Sequence, residues 1–205
     1  MIDGVIKYEF DFTLSKPLQK ELWYDLQEVR KRLFSLRLIG EKEGIGYGNI
    51  SKRVSKKSFV ITGTQTGHLK NLNAEDFSFV ESYDDERFYL KSYGKAKPSS
   101  ESLTHGTIYD LNDDIGAIIH IHSKVLWDFM LENRYKKTDD VLYGSLDMIK
   151  EVKRIYKDID PLSDSKFVMS GHEEGIIVFA KELALAELIL YEIVADFMDS
   201  ISHDA

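Results

Sequence analysis

The spacing of apolar and polar residues along the chain predicts a mixture of helices and strands. Amphipathic segments with apolar residues every three or four positions are typical of helices, and short apolar or alternating runs are typical of strands. The predicted helices are 18–39, 102–110, 125–131, 146–157 and 182–197. The predicted strands are 2–13, 58–62, 79–83, 88–93, 115–121, 166–170 and 176–179.

The apolar strand 115–121 leads into two histidines, which are the first sign of chemistry in the chain. Side chains two positions apart leave a strand on the same face, so His120 and His122 point together. A third histidine, His172, follows the predicted strand 166–170. Three histidines that leave one coordination position open are typical of a catalytic zinc site. The alternative is that the pair only forms hydrogen bonds in the core.

Composition limits the partners and cofactors that we expect. The 205 residues, of which 43% are hydrophobic, predict one domain over 1–205, with an N-terminal strand extension over 1–16. A net charge of -8 argues against nucleic acid and anionic lipid as partners but allows a small phosphorylated substrate. There are no cysteines, so His, Asp or Glu must hold any metal. Because no targeting or membrane segment stands out, we expect a cytoplasmic protein without a membrane partner.

Five short motifs follow one another in a fixed order. They are Gly48-Asn49-Ile50-Ser51-Lys52-Arg53, Phe59-Val60-Ile61-Thr62, Pro98-Ser99-Ser100-Glu101, His120-Ile121-His122-Ser123 and Gly171-His172. With these motifs, and over about residues 18–198, the chain resembles the class II aldolase/adducin family, whose type member is fuculose phosphate aldolase. The resemblance implies a three-layer α/β/α sandwich with a mostly antiparallel central sheet. It also implies a homotetramer with the site at the subunit interface.

The same resemblance implies a metal site and the residues that act beside it. The expected ligands are His120, His122, His172 and Glu101. Nitrogen-rich ligation favours zinc, although another divalent metal fits the same ligands. Glu101 is placed to move a proton next to the metal. Tyr143 stands where the family often carries a proton donor for the neighbouring subunit's site, with simple packing as the alternative. His105, one helical turn after Glu101, is expected to play a structural or supporting role.

A loop rich in glycine and hydroxyl groups, residues 63–67, predicts a site for the phosphate of the substrate. The loop departs from the family's usual Thr-Pro-Thr-Gly, so either Thr64 or Thr66 with Gly67 reaches the phosphate, and we favour the second. The resemblance implies that Asn49 also lies at the phosphate, as the matching Asn does in the family. The alternative is that Asn49 only caps a turn. The predicted phosphate ligands are Asn49, Thr66, Gly67, Ser99 and Ser100.

These residues predict a metal-dependent aldolase that reversibly splits a ketose 1-phosphate into dihydroxyacetone phosphate and an aldehyde. The first alternative is a ribulose-phosphate 4-epimerase, because that subgroup uses an Asp shortly before the Tyr-Gly pair and Asp140 stands three residues before Tyr143. A noncatalytic module of the adducin type ranks below both. Glu173 and Glu174, which follow His172, either widen the turn or orient this histidine.

Overall fold

The computed structural model describes residues 5–203, so the start of the predicted first strand, 2–4, lies outside the description. The strands are β1 (Glu9–Leu14), β2 (Gly40–Lys42), β3 (Ile45–Tyr47), β4 (Asn49–Ser55), β5 (Ser58–Thr62), β6 (Phe77–Asp84), β7 (Tyr89–Gly94), β8 (Ala117–His122), β9 (Lys136–Lys137), β10 (Lys166–Val168) and β11 (Gly175–Ala180). The helices are α1 (Lys20–Ser35), α2 (Ser102–Leu111), α3 (Lys124–Glu132), α4 (Leu146–Ile155) and α5 (Leu183–His203). A short 3-10 helix covers Pro161–Ser163. None of the described helices has the length and apolar character needed to cross a bilayer.

In the described part of the chain, nine strands form one mixed sheet in the order β1-β7-β6-β5-β4-β8-β11-β10-β9. The outermost pairings, β1 with β7 and β10 with β9, are parallel. The pairings between them are antiparallel. The expectation of a mostly antiparallel sheet is therefore corrected to a mixed sheet. Parallel neighbours need a crossover connection, and α4 supplies one between β9 and β10.

Helices cover both faces of the sheet, which gives three layers. Helices α1, α3 and α5 pack on one face, and α2 and α4 pack on the other. The central strand β8 contributes to both cores because its side chains alternate: Ile118 joins the α2 and α4 side, whereas Ile119 joins the α1 and α5 side. The sheet is therefore covered on both sides around β8, where the histidine pair lies.

Two helix ends differ from the prediction by more than two residues. The first helix was expected over 18–39 but ends at Ser35, since Arg37 takes a left-handed conformation with φ of 58° that a helix cannot continue. The chain then returns as the small β2–β3 hairpin before it enters β4. The last helix was expected to end near Phe197 but runs to His203. Helical hydrogen bonding thus continues past the end of the predicted apolar pattern.

Candidate metal centre

The histidine pair lies at the end of β8, on the face covered by α2 and α4. His120 and His122 follow Ile118 at intervals of two, so all three side chains share that face. Both histidines are buried, and their ring centroids are 4.9 Å apart. The prediction that the two imidazoles point together is met, because β8 keeps its regular strand geometry to its last residue.

The third imidazole comes from the turn before β11, the antiparallel neighbour of β8. The turn is closed by three backbone hydrogen bonds. They run from the N–H of Met169 to the carbonyl of Gly175 at 3.0 Å, from the N–H of His172 to the carbonyl of Met169 at 3.2 Å, and from the N–H of Gly175 to the carbonyl of His172 at 2.8 Å. A Cβ on Gly175 would lie only 2.7 Å from Cδ2 of His172 and 3.3 Å from Nε2 of His120. Glycine at this position therefore leaves room for the rings to converge.

The three imidazoles form a group that could bind a metal ion. Their ligand nitrogens all lie within 4.8 Å of one another, and Nε2 of His172 is 2.8 Å from Nε2 of His122. Zinc bonds of about 2.0 Å imply nitrogen separations of about 3.3 Å in a tetrahedral site, a value between the 2.8 Å of this pair and the 4.8 Å limit of the group. Burial, together with the neighbouring imidazoles, lowers the pKa of His122 well below its usual value, which favours the neutral form that ligates.

One atom of this group supports a metal independently of these separations. Nε2 of His120 is buried and has no hydrogen-bond partner in residues 5–203. Buried polar atoms are almost always paired, so an orphaned ring nitrogen that faces two other imidazoles needs an explanation. A divalent ion provides one, and the chemistry of the donor set therefore fits the metal that the sequence predicts.

Glu101 lies directly before α2 and is buried beside His120. Its Oε2 contacts Nδ1 of His120 and accepts a hydrogen bond of 2.8 Å from Nδ2 of Asn49, while Oε1 lies 3.9 Å from Nδ1 of His172. Burial alone raises the pKa of Glu101, but interactions with His120, His172 and Asn49 outweigh it and hold this pKa well below the usual range. The group of residues that could bind a metal contains the three imidazoles but not Glu101. The role of Glu101 as a fourth ligand stays a prediction.

The residues predicted to bind phosphate line the same cavity as the three histidines. They are Asn49, Thr66, Gly67, Ser99 and Ser100. Thr64 also lines the cavity, so the choice between the two threonines stays open. The Thr66 hydroxyl donates to the carbonyl of Gly63 at 2.9 Å, a bond that closes the loop on itself. The loop and the imidazoles thus enclose one space, with Asn49 between them.

Tyr143 also lines this cavity, and its ring stands edge-on to His172 within the same chain. The ring centroids are 4.5 Å apart and the planes are perpendicular, at 90°. The role expected from the resemblance, a proton donor to a neighbouring subunit's site, stays a prediction, and within its own chain this tyrosine lies against His172. Asp140, three residues earlier, is exposed and is not among the described residues that line the cavity. The residue whose position favoured the epimerase, Asp140, therefore lies outside the site in this chain.

The two acids after His172 form the turn. Glu174 has a φ of 70°, its carbonyl accepts the N–H of Ser123 at 2.9 Å, and its carboxylate pairs with Lys42 at 3.0 Å. Glu173 is exposed. The wider turn was one of the two interpretations of this pair, and the contacts of Glu174 favour it.

His105 is fully buried beneath the site and takes part in a polar chain. Its Nδ1 lies 2.7 Å from the hydroxyl of Ser51, which in turn lies 2.8 Å from the hydroxyl of Tyr109. Burial lowers the pKa of His105 to about 3. These contacts agree with the structural role expected for His105, because its ring joins α2 to β4.

Several residues at the site were not found from the sequence. The ring of Tyr47 lies 5.3 Å from that of His122, centroid to centroid, and is tilted by 31°. The sequence feature that could have indicated Tyr47 is its position among the closely spaced glycines before Asn49. Arg30, in α1, donates to the backbone carbonyls of Leu69 at 2.5 Å and of Thr66, in the loop 63–67, at 2.9 Å. Lys7 and Tyr8, near the start of the described chain, touch Tyr143 and Ser99.

Two relatives in sequence are named for reactions of sugar phosphates. The chain is 28% identical over 137 residues to the methylthioribulose-1-phosphate dehydratase of Hahella chejuensis, a match that covers 60% of this chain and 61% of the dehydratase. It is 27% identical over 107 residues to a probable L-ribulose-5-phosphate 4-epimerase of Mycoplasma pneumoniae, covering 51% of this chain and 43% of the epimerase. The matches thus span less than two thirds of either relative.

Solved structures resemble the fold over nearly the whole chain. An L-fuculose 1-phosphate aldolase superposes with a TM-score of 0.71 at 18% identity, over 92% of this chain and 88% of the aldolase. A sugar-phosphate aldolase from Thermotoga maritima superposes with a TM-score of 0.63 at 17% identity, over 91% and 97%. The family model described as "Class II Aldolase and Adducin N-terminal domain" matches residues 40–193. The chain therefore belongs to the class II aldolase and adducin family.

Proposed function

We propose that the protein is a metal-dependent aldolase that reversibly cleaves a ketose 1-phosphate into dihydroxyacetone phosphate and an aldehyde. The observation that carries the proposal is the convergence of His120, His122 and His172 beside the buried carboxylate of Glu101. The same cavity is lined by the loop 63–67 and two serines, as a phosphate subsite requires. A noncatalytic module has no use for such a group, because buried imidazoles with an orphaned nitrogen cost stability.

The three imidazoles would hold the ion, for which we propose zinc. A divalent ion bound there supplies a Lewis acid for the negative charge that develops on substrate oxygens as the carbon–carbon bond breaks. Glu101 accepts the proton of the substrate hydroxyl, because its carboxylate lines the same cavity as the three histidines and the predicted phosphate ligands. The hydroxyl carbon becomes the aldehyde carbon, and the bonding electron pair leaves with the dihydroxyacetone phosphate fragment. Tyr143 returns a proton to the carbon of that fragment.

Asn49 orients the base in this mechanism. Its Nδ2 donates to Oε2 of Glu101 and lies 3.2 Å from Nδ1 of His120, so it holds the carboxylate against the imidazole. The backbone of the loop 63–67 and the hydroxyls of Ser99 and Ser100 bind the phosphate, which keeps the reacting carbons near Glu101. We also propose a homotetramer with the site at a subunit boundary; the exposed Leu142 and Leu146, which flank Tyr143 and Gly144, support an interface there.

The second candidate is a ribulose-phosphate 4-epimerase, favoured by the sequence match to a protein of that name. Epimerisation of this kind breaks and remakes the same type of bond without release of the fragments. The test is therefore an assay of purified protein, stripped of metal and reloaded with zinc, on ketose 1-phosphates, L-ribulose 5-phosphate and methylthioribulose 1-phosphate. Release of dihydroxyacetone phosphate is expected. Epimerisation without release would select the second candidate, and dehydration alone would contradict both.

The test of the site itself is the substitution Glu101→Gln, which keeps the size of the side chain and removes the base. We expect turnover to fall by about 100-fold or more, with zinc still bound. Glu173→Gln is the matched control, because Glu173 is an exposed acid next to His172, and its turnover should match the unaltered protein. Unchanged turnover in Glu101→Gln would remove Glu101 from the mechanism. Failure of the unaltered protein to retain zinc would favour a binding module instead.

A further inference from the structure

The N-terminal segment, defined here as residues 5–14, lies outside the family match yet reaches the site. The match begins at residue 40, and β1 adds to the far edge of the sheet beside β7. Lys7 and Tyr8 precede Glu9, the first residue that pairs with β7. They are therefore not needed for the strand pairing, and their contacts call for another explanation.

Tyr8 fixes the backbone of the turn that carries Glu101. Tyr8 is buried, and its hydroxyl donates to the carbonyl of Ser99 at 2.8 Å. Burial raises the pKa of Tyr8, so the phenol keeps the proton that it donates. The side chain of Ser102 donates to the same carbonyl at 2.7 Å. The Tyr8 ring packs edge-on against Phe10, and this contact restricts the position of the hydroxyl.

Lys7 contacts Tyr143 through both the ring and the backbone. Its Nζ lies 3.3 Å from the centroid of the Tyr143 ring and donates to the Tyr143 carbonyl at 2.8 Å. A cation over an aromatic face is attracted by the ring, and the hydrogen bond adds a second attachment. The ring of Tyr143 is thus held on its face by Lys7, and it also contacts the ring of His172. Ser99 and Tyr143, whose carbonyls accept hydrogen bonds from Tyr8 and Lys7, both line the cavity of the metal centre.

We propose that the N-terminal segment is a working part of the site, in which Tyr8 positions the Ser99–Glu101 turn and Lys7 positions Tyr143. Both are positioning residues, because they act through groups that face the substrate. The inference rests on the proposed function for the role of Tyr143. It does not rest on it for the turn, because Glu101 contacts His120 whatever reaction the site performs.

The first test uses cobalt binding, which needs no turnover. Tyr8→Phe removes one hydroxyl and keeps the ring, and Tyr89→Phe is the matched control, because its hydroxyl bonds Asp11 and so joins β7 to β1 away from the site. We expect Co²⁺, titrated into metal-free protein and followed by its visible absorption, to bind about fivefold more weakly to Tyr8→Phe, the effect of one buried hydrogen bond. Tyr89→Phe should bind as the unaltered protein does. Equal affinity in the two variants would overturn the role of Tyr8.

The second test uses steady-state kinetics. Lys7→Met should lower kcat by about tenfold at unchanged KM, because Tyr143 acts on the reaction and not on binding. Lys7→Arg keeps the cation over the ring and should restore most of kcat. Recovery in Lys7→Arg with equal unfolding midpoints excludes a general loss of stability. A kcat in Lys7→Met equal to that of the unaltered protein would overturn the role of Lys7. If the unaltered protein turns over none of the sugar phosphates, the proposed function fails, and the cobalt titration alone decides the inference.

Discussion

Replacement of Arg30 is expected to loosen the loop 63–67, which carries two of the predicted phosphate ligands, and to lower the stability of the protein substantially. Arg30 lies in α1 and is only 1% exposed. Its guanidinium donates to backbone carbonyls. The acceptors are Leu69 at 2.5 Å, Thr66 at 2.9 Å, Gly67 at 3.2 Å and Lys70 at 3.4 Å. Burial lowers the pKa of Arg30 to about 10, so the group stays charged at neutral pH.

The magnitude follows from the two shorter bonds, to Thr66 and Leu69. Hydrogen bonds to a charged group contribute about 1.5 to 3 kcal/mol each, and the longer pair adds little. We therefore expect Arg30→Met to lower the free energy of unfolding by about 3 to 5 kcal/mol. The control is Arg32→Met on the same helix, since the Arg32 side chain is 51% exposed and pairs with Glu187. Half-exposed ion pairs contribute about 1 kcal/mol or less.

Urea denaturation of both variants, followed by circular dichroism, measures this difference. Because two of the acceptors, the carbonyls of Thr66 and Gly67, belong to the loop 63–67, we also expect Arg30→Met to raise KM for the phosphorylated substrate more than it lowers kcat. Arg30→Lys keeps the charge but has one ammonium group in place of the forked guanidinium. Its free energy of unfolding should therefore lie between those of Arg30→Met and Arg32→Met. An Arg30→Met free energy of unfolding within about 1 kcal/mol of that of Arg32→Met would refute the reasoning.

Two further predictions concern the same part of the fold. In Gly67→Ala the new Cβ would lie 2.1 Å from the carbonyl oxygen of Gly40 and 2.5 Å from Cα of Gly46, so we expect a lower melting temperature and weaker binding of inorganic phosphate by calorimetry; an unchanged melting temperature would contradict it. His105, whose pKa burial lowers to about 3, stays neutral in the fold while the unfolded chain takes up a proton below about pH 6.5. The unaltered protein should therefore lose more stability than His105→Gln as pH falls from 6.5 towards 4, and urea titrations with equal pH dependence would contradict this.

The placement of the histidine pair could be predicted from the sequence because its signal is local. The period of two along β8 places His120 and His122 on one face, and the prediction needed no knowledge of other strands. The convergence of His172 came from the family resemblance, since nothing within the turn itself says which strand lies beside it. Strand neighbours were harder to predict for the same reason. The parallel edges formed by β1 and β9 join segments far apart in the chain, and local apolar patterns carry no information on such pairing.

Two residues that hold parts of the site in place, Lys7 and Arg30, were not predicted, because lysine and arginine usually lie on the surface. Lys7 and Tyr143 are 136 positions apart, and no local pattern connects them. Arg30 is different, because a local signal existed. It follows Leu26 by four residues and precedes Leu33 by three, so it lies on the apolar stripe of α1, whereas Arg32 does not. A charged residue on such a stripe must find several hydrogen-bond acceptors in the core. A nearby loop whose carbonyls can accept these bonds is then its partner, and here that loop carries the predicted phosphate ligands.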